Sequence, residues 1–281
     1  MKVIVAGCGF VGEALRRRLV GGGHEALGLT LSGSDTTGAC DISDFAEVES
    51  LAVRAGEVDA IVHCASSGRG GDREERYRSV YLEGCKHLLA VFPSARLIFT
   101  SSTSVYAQTD GSEVDEDSPA SPTAKTGQIL RAAEELAIAS GGCVARLAGI
   151  YGPGRSFLLK RFLQGEASID GRWINQIHRD DAAAALEFLL QLQPGPGSGI
   201  FNVTDDRPLS QLECYQELSR RFGRPVPPES PPDPNRSRGW TNKRVRNAKL
   251  RGLGWTPRYP NFFDALDHDP ALVPSIRDQV D

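Results

Sequence analysis

The stretch Val3-Ile4-Val5-Ala6-Gly7-Cys8-Gly9-Phe10-Val11-Gly12 decides the fold of this 281-residue chain. Its apolar start predicts a buried strand, and the amphipathic residues that follow the glycines predict a helix. Gly7 permits a tight turn, Gly9 removes a side chain that would block a pyrophosphate, and Gly12 lets the helix lie close to the strand. Free N–H groups at the helix N-terminus then meet the phosphates. The motif therefore predicts a dinucleotide-binding turn, and the alternative is a glycine-rich turn without a ligand.

Composition and charge favour a globular protein with a small ligand. Hydrophobic residues make up 40% of the chain, which is ample for a core, and the formal net charge of −4 gives no general attraction for nucleic acid or an anionic membrane. No apolar run approaches the roughly 20 residues that a membrane helix needs, and no charged leader with an apolar core precedes the first strand. We therefore expect no nucleic-acid or membrane partner.

The cysteines indicate the compartment. The six cysteines form no CxxC pair, and no histidine stands at metal-ligand spacing. We therefore expect no metal site and a cytoplasmic protein with reduced thiols.

Short β-branched runs alternate with helical patterns along the chain. This alternation predicts an α/β fold, a doubly wound parallel sheet with helices on both faces. Asp44, with Glu47 three residues later, predicts a capped start of the second helix. Six prolines between Pro225 and Pro234 predict an extended connector without regular structure. The predicted strands are 2–6, 26–30, 58–65, 97–101, 144–147 and 200–203.

Motifs spread over nearly the whole chain carry a family resemblance. They are Gly7 to Gly12, Cys40-Asp41-Ile42-Ser43-Asp44, Val62-His63-Cys64-Ala65, Phe99-Thr100-Ser101-Ser102-Thr103-Ser104-Val105-Tyr106, Ala145-Arg146-Leu147-Ala148-Gly149-Ile150-Tyr151-Gly152-Pro153-Gly154, Ile177-His178-Arg179-Asp180-Asp181 and Phe201-Asn202-Val203-Thr204. The sequence resembles the short-chain dehydrogenase/reductase superfamily, in its extended branch of nucleotide-sugar epimerases and dehydratases. The resemblance implies a Rossmann domain over residues 1–150. Residues 151–281 would supply further core elements and a small substrate lobe that is not an independent domain.

The resemblance also implies a bound NAD(P). Together with the glycine turn, it assigns cofactor contacts to Gly7, Gly9, Phe10, Val11, Gly12, Thr30, Ser32, Asp41, Ile42, Cys64, Ala65, Ser66 and Ser101.

The end of the second strand bears on the choice between NAD and NADP. An acid about 20 residues beyond the glycine turn accepts hydrogen bonds from the ribose 2′-OH of NAD. Thr30-Leu31-Ser32 stands there instead, and its hydroxyls can donate to a 2′-phosphate that a carboxylate would repel. NADP is therefore slightly favoured. NAD stays open because no Arg accompanies the hydroxyls and Asp35 is close by.

The chain departs from the family at its usual catalytic pair, a Tyr with a Lys four residues later. One alignment places Thr126 and Leu130 at these positions, and a second places Thr123 and Gly127 there. A threonine hydroxyl is a poor proton acceptor beside a phenol, and leucine cannot hold a ribose hydroxyl. The chain therefore resembles the atypical branch of the superfamily, which lacks the pair.

Two residues are candidates for the missing chemistry. Ser102 matches the family's substrate-orienting Ser, although a Ser at a strand end also commonly forms hydrogen bonds with backbone groups. Tyr106 is the nearest substitute acid or base, although a packed aromatic explains it as well.

Other polar residues are candidates for anion binding. Arg146 and Arg155 face the region where family members hold an anionic substrate, so both are predicted substrate contacts. Tyr151 and His178 are better explained by packing and by helix capping. The basic run 243–246 is either a further anion ligand or a solvated face.

Two classes of function follow. The first is an NAD(P)-binding oxidoreductase or an epimerase/dehydratase-like enzyme of atypical type, acting on a nucleotide sugar or a small carbonyl compound. The second is a non-catalytic NAD(P) sensor or scaffold. The family resemblance adds a homodimer formed through the helices after Asp72 and after Thr126.

Overall fold

The computed structural model describes residues 1–68, 70–193, 195, 197–232 and 240–280. The strands are β1 (Lys2–Ala6), β2 (Glu25–Thr30), β3 (Gly38–Ala39), β4 (Ala60–His63), β5 (Arg96–Ser102), β6 (Glu113–Val114), β7 (Cys143–Leu147), β8 (Gly149–Tyr151), β9 (Trp173–Ile174), β10 (Gln176–His178), β11 (Gly199–Val203), β12 (Leu209–Ser210) and β13 (Arg244–Val245). The α-helices are α1 (Phe10–Gly21), α2 (Phe45–Ala55), α3 (Arg73–Tyr77), α4 (Gly84–Val91), α5 (Lys125–Ala139), α6 (Phe157–Gln164), α7 (Arg179–Gln191), α8 (Gln211–Phe222), α9 (Ala248–Gly252), α10 (Phe262–His268) and α11 (Leu272–Arg277). A π-helical segment covers Arg78–Glu83, and a 3₁₀ turn covers Thr103–Val105.

Seven strands form one parallel sheet in the order β11-β7-β5-β4-β1-β2-β3. The predicted doubly wound α/β fold is confirmed, and each of the six predicted strands lies in this sheet. The chain runs outward from β1 to β3 and then returns to β4 on the other side of β1. The strand order therefore reverses between β1 and β4, and ligands of such sheets bind beyond the carboxyl ends of the strands at that point.

The side chains of β1 alternate between two cores. Val3 and Val5 pack in one cluster with Leu15 of α1, while Ile4 and Ala6 pack in another on the opposite face. Helices thus cover both faces of the sheet. This explains why β1 is apolar throughout rather than alternating between apolar and polar residues.

Residues beyond position 150 divide between the sheet and a separate cluster. Strand β11 and helix α7 belong to the central sheet and its first core, whereas Leu159, Phe162 and Tyr215 form part of a third core. The boundary at residue 150 stays a prediction. In the predicted proline-rich connector, residues 225–232 form one isolated β-bridge, between Glu229 and Ile169. Residues 233–239 lie outside the described part of the chain.

Helix α2 begins as predicted at Asp44, whose carboxylate accepts hydrogen bonds from the N–H groups of Ala46 and Glu47. The Glu47 carboxylate does not complete the predicted reciprocal bond. It accepts instead from the N–H of Asp41, at 2.7 Å, which fixes the loop after β3.

The described residues hold neither a membrane span nor a metal cluster. No helix among them is long and apolar enough to cross a membrane. No group of three His, Cys, Asp or Glu side chains there is arranged to hold a metal ion. All six cysteines are free thiols.

Candidate functional site

A cavity of about 400 Å³ lies beyond the carboxyl ends of the sheet strands, across the point where the strand order reverses. Segments that follow β1, β4, β5 and β7 form its walls. The site is therefore built by the sheet topology, since these segments are far apart in the sequence. We call it the cofactor cavity.

The glycine turn fits a phosphate group at this cavity. Gly7 has φ +96°, and a Cβ there would lie 2.2 Å from the Ala65 backbone. A Cβ at Gly12 would lie 2.2 Å from the Gly7 carbonyl oxygen, so the close approach of α1 to β1 requires glycine. A Cβ at Gly9 would meet no atom within 4 Å. Gly9 thus borders open space at the N-terminus of α1, where N–H groups lack intrahelical partners.

Most of the predicted cofactor contacts line this cavity. They are Gly7, Gly9, Phe10, Val11, Thr30, Asp41, Ile42, Cys64, Ala65, Ser66 and Ser101. Gly12 and Ser32 do not line it. Gly12 serves the packing of α1, and Ser32 is exposed beyond the end of β2.

The end of β2 presents a hydroxyl and an apolar side chain to the cavity. Thr30 Oγ1 accepts a hydrogen bond from the N–H of Gly33 at 3.0 Å, and Leu31 stands beside it, 76% exposed. Asp35 lies in the turn closed by Ser34 and Thr37, against a different cavity. The sequence-based idea that Asp35 swings into the ribose position therefore has no support in this arrangement.

The π-helical segment supplies lining residues that sequence reasoning missed. Val80 and Tyr81 face the cavity, and the Tyr81 ring stacks on buried His63 with a centroid distance of 6.2 Å. His63 Nε2 lies 3.0 Å from the Val80 carbonyl oxygen, and burial lowers the pKa of the imidazole. A π-helical turn is common at functional sites. The sequence signal was the pair of aromatics Tyr77 and Tyr81, one helical turn apart.

A second cavity of about 290 Å³, here called the substrate cavity, adjoins the first. The two share Ser102, Ala148, Gly149 and Ile150 as lining residues. Apolar side chains of Phe157, Leu158 and Trp173 line other parts of it.

Buried polar groups also line the substrate cavity. The Tyr151 hydroxyl and Gln176 Oε1 are buried, and neither has a hydrogen-bond partner among the residues that the structure describes. Unpaired buried polar groups are costly, and a polar ligand in this cavity would satisfy them.

Lys243 is the buried cation of the substrate cavity. Its side chain is buried, and its ammonium group donates to the carbonyl oxygen of Tyr106 at 2.8 Å and to Thr241 Oγ1 at 2.9 Å. Burial lowers the pKa of the Lys243 ammonium to about 8. Of the predicted basic run 243–246, Lys243 thus faces a cavity, whereas Arg244 and Arg246 pair with Glu113.

The structure places two of the predicted contacts, Tyr106 and Arg146, outside the linings of both cavities. Tyr106 is fully buried outside both cavity linings, and its hydroxyl donates to Asn202 Oδ1 at 2.9 Å. Arg146 points away from the cavities and forms a buried ion pair with Glu134, while its guanidinium stacks over the Tyr106 ring at 4.8 Å. Both side chains are structural, because the Arg146 guanidinium packs on the Tyr106 ring and binds Glu134 of α5.

Ser102 and Arg155 lie at the cavities, in different places. Ser102 ends β5 between the two cavities, and its Oγ accepts from the N–H of Ser104 at 3.2 Å. Arg155 lines the cofactor cavity, with its guanidinium 5.2 Å from the centroid of the Phe10 ring. The structure therefore places Arg155 beside the glycine turn rather than in the substrate cavity.

The structural explanation of His178 is confirmed. Its Nδ1 accepts from the N–H of Asp180 at the start of α7, and its Nε2 lies 3.1 Å from Asp269 Oδ2. Tyr151 packs edge-on against His178 and Phe262, as the packing interpretation predicts, but it also lines the substrate cavity.

In the first alignment, the positions expected for Tyr and Lys lie on α5, whereas in the second Thr123 precedes α5 and Gly127 lies on it. Leu130 is buried in the core, and Thr126 lines a small third cavity of about 200 Å³. Ser104 and Thr241 line both this third cavity and the substrate cavity. No proton carrier of the usual kind therefore comes from Thr126 or Leu130.

Comparisons with known proteins agree with this architecture. The sequence profile described as the NAD dependent epimerase/dehydratase family matches residues 3–203. Protein YeeZ of Escherichia coli strain K12 is 28% identical over 293 residues, covering 97% of this chain and 98% of that protein. The 2-alkyl-3-oxoalkanoate reductase of Stenotrophomonas maltophilia is 26% identical over 255 residues, covering 80% of this chain and 77% of that protein.

A solved structure shows the same fold. The UDP-glucose 4-epimerase of Thermus thermophilus, crystallised as a complex with NAD, superposes with a TM-score of 0.79 at 20% identity. The superposition covers 99% of each chain.

Proposed function

This chain belongs to the NAD dependent epimerase/dehydratase family, and we propose that it is an NAD(P)-binding oxidoreductase of atypical type that acts on a nucleotide sugar or a small carbonyl compound. One observation carries the proposal. The cofactor cavity and the substrate cavity meet at Ser102 and Gly149, so a ligand in each would be in contact with the other.

Different residues of the chain would bind the cofactor and the substrate. The glycine turn and the N-terminus of α1 would hold the cofactor phosphates, with Arg155 beside them as a cation. When bound, the nicotinamide supplies or accepts a hydride. Ser102 would donate a hydrogen bond to the substrate oxygen at the junction of the cavities. Thr30, with no carboxylate at the end of β2, supports a slight preference for NADP.

Both substrate classes have support. The reductase name of the Stenotrophomonas protein fits a small carbonyl compound, and the epimerase name of the Thermus protein fits a nucleotide sugar. The apolar side chains Phe157, Leu158 and Trp173 would contact the carbon skeleton of either substrate.

The test combines binding with turnover. NADH and NADPH are titrated into the protein by nicotinamide fluorescence, and the loaded protein is then mixed with nucleotide sugars, aldehydes, ketones and 3-oxo acids. We expect binding of a cofactor and oxidation of NAD(P)H by at least one class. Binding without turnover across the panel would favour a non-catalytic NAD(P) sensor or scaffold, and absence of binding would contradict both.

We also propose a homodimer in the cytoplasm. Helices α3 and α5 pack together on one side of the sheet and correspond to the elements through which the family resemblance implies dimerisation. The six free cysteines fit a reducing compartment. Light scattering of the purified protein would show a mass of two chains, and a single-chain mass would contradict the dimer.

A further inference from the structure

We propose that Lys243 exchanges a proton with the substrate oxygen, in place of the Tyr and Lys that this chain lacks. The inference rests on the proposed function, because it concerns the second reactant of a hydride transfer. The first observation that supports it is the position of Lys243. Lys243 lines the substrate cavity together with Ser102 and Ser104, although about 140 residues separate them in the sequence.

The contacts of the ammonium group leave it suited to this task. An ammonium has three N–H donors. Two of them are used by the Tyr106 carbonyl oxygen and Thr241 Oγ1. Within the described residues, no carboxylate forms an ion pair with Lys243. The remaining donor is therefore not committed to a structural salt bridge.

The location matches the gap left by the missing pair. Thr126 and Thr123, which the two alignments place at the expected Tyr position, both line the third cavity. Thr241, which holds the Lys243 ammonium, lines both that cavity and the substrate cavity. The residue that holds the Lys243 ammonium thus also lines the cavity that contains Thr126.

Other proton carriers around the two cavities are less suitable. Burial raises the pKa of the Cys64 thiol to about 12 and also raises the pKa of the Tyr151 phenol. A group that gives and takes protons near neutral pH works best when its pKa lies close to the working pH. The lowered pKa of Lys243 meets this requirement.

The proton balance is simple. In reduction, the carbonyl carbon accepts a hydride from the reduced nicotinamide, and the carbonyl oxygen takes a proton from the Lys243 ammonium. The neutral amine then regains a proton from water. In oxidation, the neutral amine takes the proton of the substrate hydroxyl while the carbon gives up its hydride to the oxidised nicotinamide.

The first test needs no substrate. The six lysines of the chain are reductively ¹³C-methylated, and their methyl resonances are followed with pH, with Lys243→Arg used to assign the signal that disappears. We expect the Lys243 resonance to titrate near pH 8. A Lys243 resonance that titrates at the ordinary lysine value of 10.5 would overturn the inference.

The second test separates chemistry from structure. Lys243→Met should bind NADH or NADPH as the native protein does but lose about 10²–10⁴-fold in kcat/KM for the substrate that the panel identifies. Lys243→Arg keeps a cation but cannot release a proton in this range, so it should also bind the cofactor but not restore turnover. Lys125→Met is the matched control and should change neither quantity. Unchanged turnover and pH profile in Lys243→Met would refute the inference, whereas failure of the native protein to bind either cofactor would refute the proposed function instead.

Discussion

Arg146 donates two hydrogen bonds to the Glu134 carboxylate, from Nε to Oε1 at 3.0 Å and from Nη2 to Oε2 at 2.7 Å. Both side chains are fully buried between β7 and α5. Ser101 Oγ donates to the same Oε1 at 2.5 Å, and Arg131 pairs with the other oxygen. Since Ser101 also lines the cofactor cavity, this ion pair fixes one wall of the site from behind.

Removing the cation should therefore cost stability rather than substrate affinity. Arg146→Met would leave the buried Glu134 carboxylate with Arg131 as its remaining cation, and we expect a loss of about 3 kcal/mol in the free energy of unfolding. Urea denaturation measures it. In the double variant Arg146→Met/Glu134→Leu, which buries no charge at this pair, most of the loss should be recovered. A loss below about 1 kcal/mol in Arg146→Met would show that the pair is not an important source of stability.

The fold could be predicted because its signals are local. The apolar run of β1 and the glycines after it specify strand, turn and helix within twelve residues, and short β-branched runs mark five further strands of the sheet. Residues at strand ends, such as Cys64 and Ser102, line the cavities because all strands of a parallel sheet end on the same side.

The site could be predicted only in part because side-chain direction depends on distant partners. Arg146 lies in register with Ser101 on the neighbouring strand, but it turns to Glu134 on α5. Tyr106 likewise turns to Asn202, 96 residues away in sequence. Lys243 belongs to a basic run that, from the sequence alone, is typical of a solvated face. Only the tertiary fold brings it to the substrate cavity.

The glycine turn offers a matched pair of variants. Gly9→Val should weaken NADPH binding by tenfold or more, roughly, because its side chain would enter the open space beside the N-terminus of α1. Its melting temperature should change little. Gly12→Ala should instead unfold at lower temperature, since its Cβ would lie 2.2 Å from the Gly7 carbonyl oxygen. If Gly9→Val binds NADPH as tightly as the native protein, the pyrophosphate does not lie at this turn.

The choice between the two nicotinamide cofactors should depend on the end of β2. Leu31→Asp places a carboxylate in the cavity lining at a position that is 76% exposed, so the core is not disturbed. A carboxylate accepts from a ribose 2′-OH and repels a 2′-phosphate. We expect the ratio of NADPH to NADH affinity to fall by about tenfold, with Leu31→Asn as the uncharged control. Tight NADH binding by the native protein with no detectable NADPH binding would contradict the preference for NADP.

The pKa of Lys243 makes stability depend on pH in a direction that can be stated in advance. Burial lowers this pKa from 10.5 to about 8, so between these values the unfolded chain holds a proton that the folded chain has released. The unfolding free energy of the native protein should therefore rise relative to that of Lys243→Met as the pH increases through this window, by up to about 3 kcal/mol.

Urea denaturation of both proteins between pH 7 and pH 10, about the window that the two pKa values set, measures this difference. The charged and titratable groups around Lys243 contribute little to the slope. Arg172 pairs with Asp170, Arg244 pairs with Glu113, and burial raises the pKa of the Tyr151 phenol so that it stays neutral in this range. Lys125→Met, which removes an exposed ammonium, is the matched control for the loss of a lysine side chain. A difference for Lys243→Met that does not change with pH would mean that Lys243 stays protonated through this range, and the substrate cavity would then hold a permanent cation rather than a proton donor.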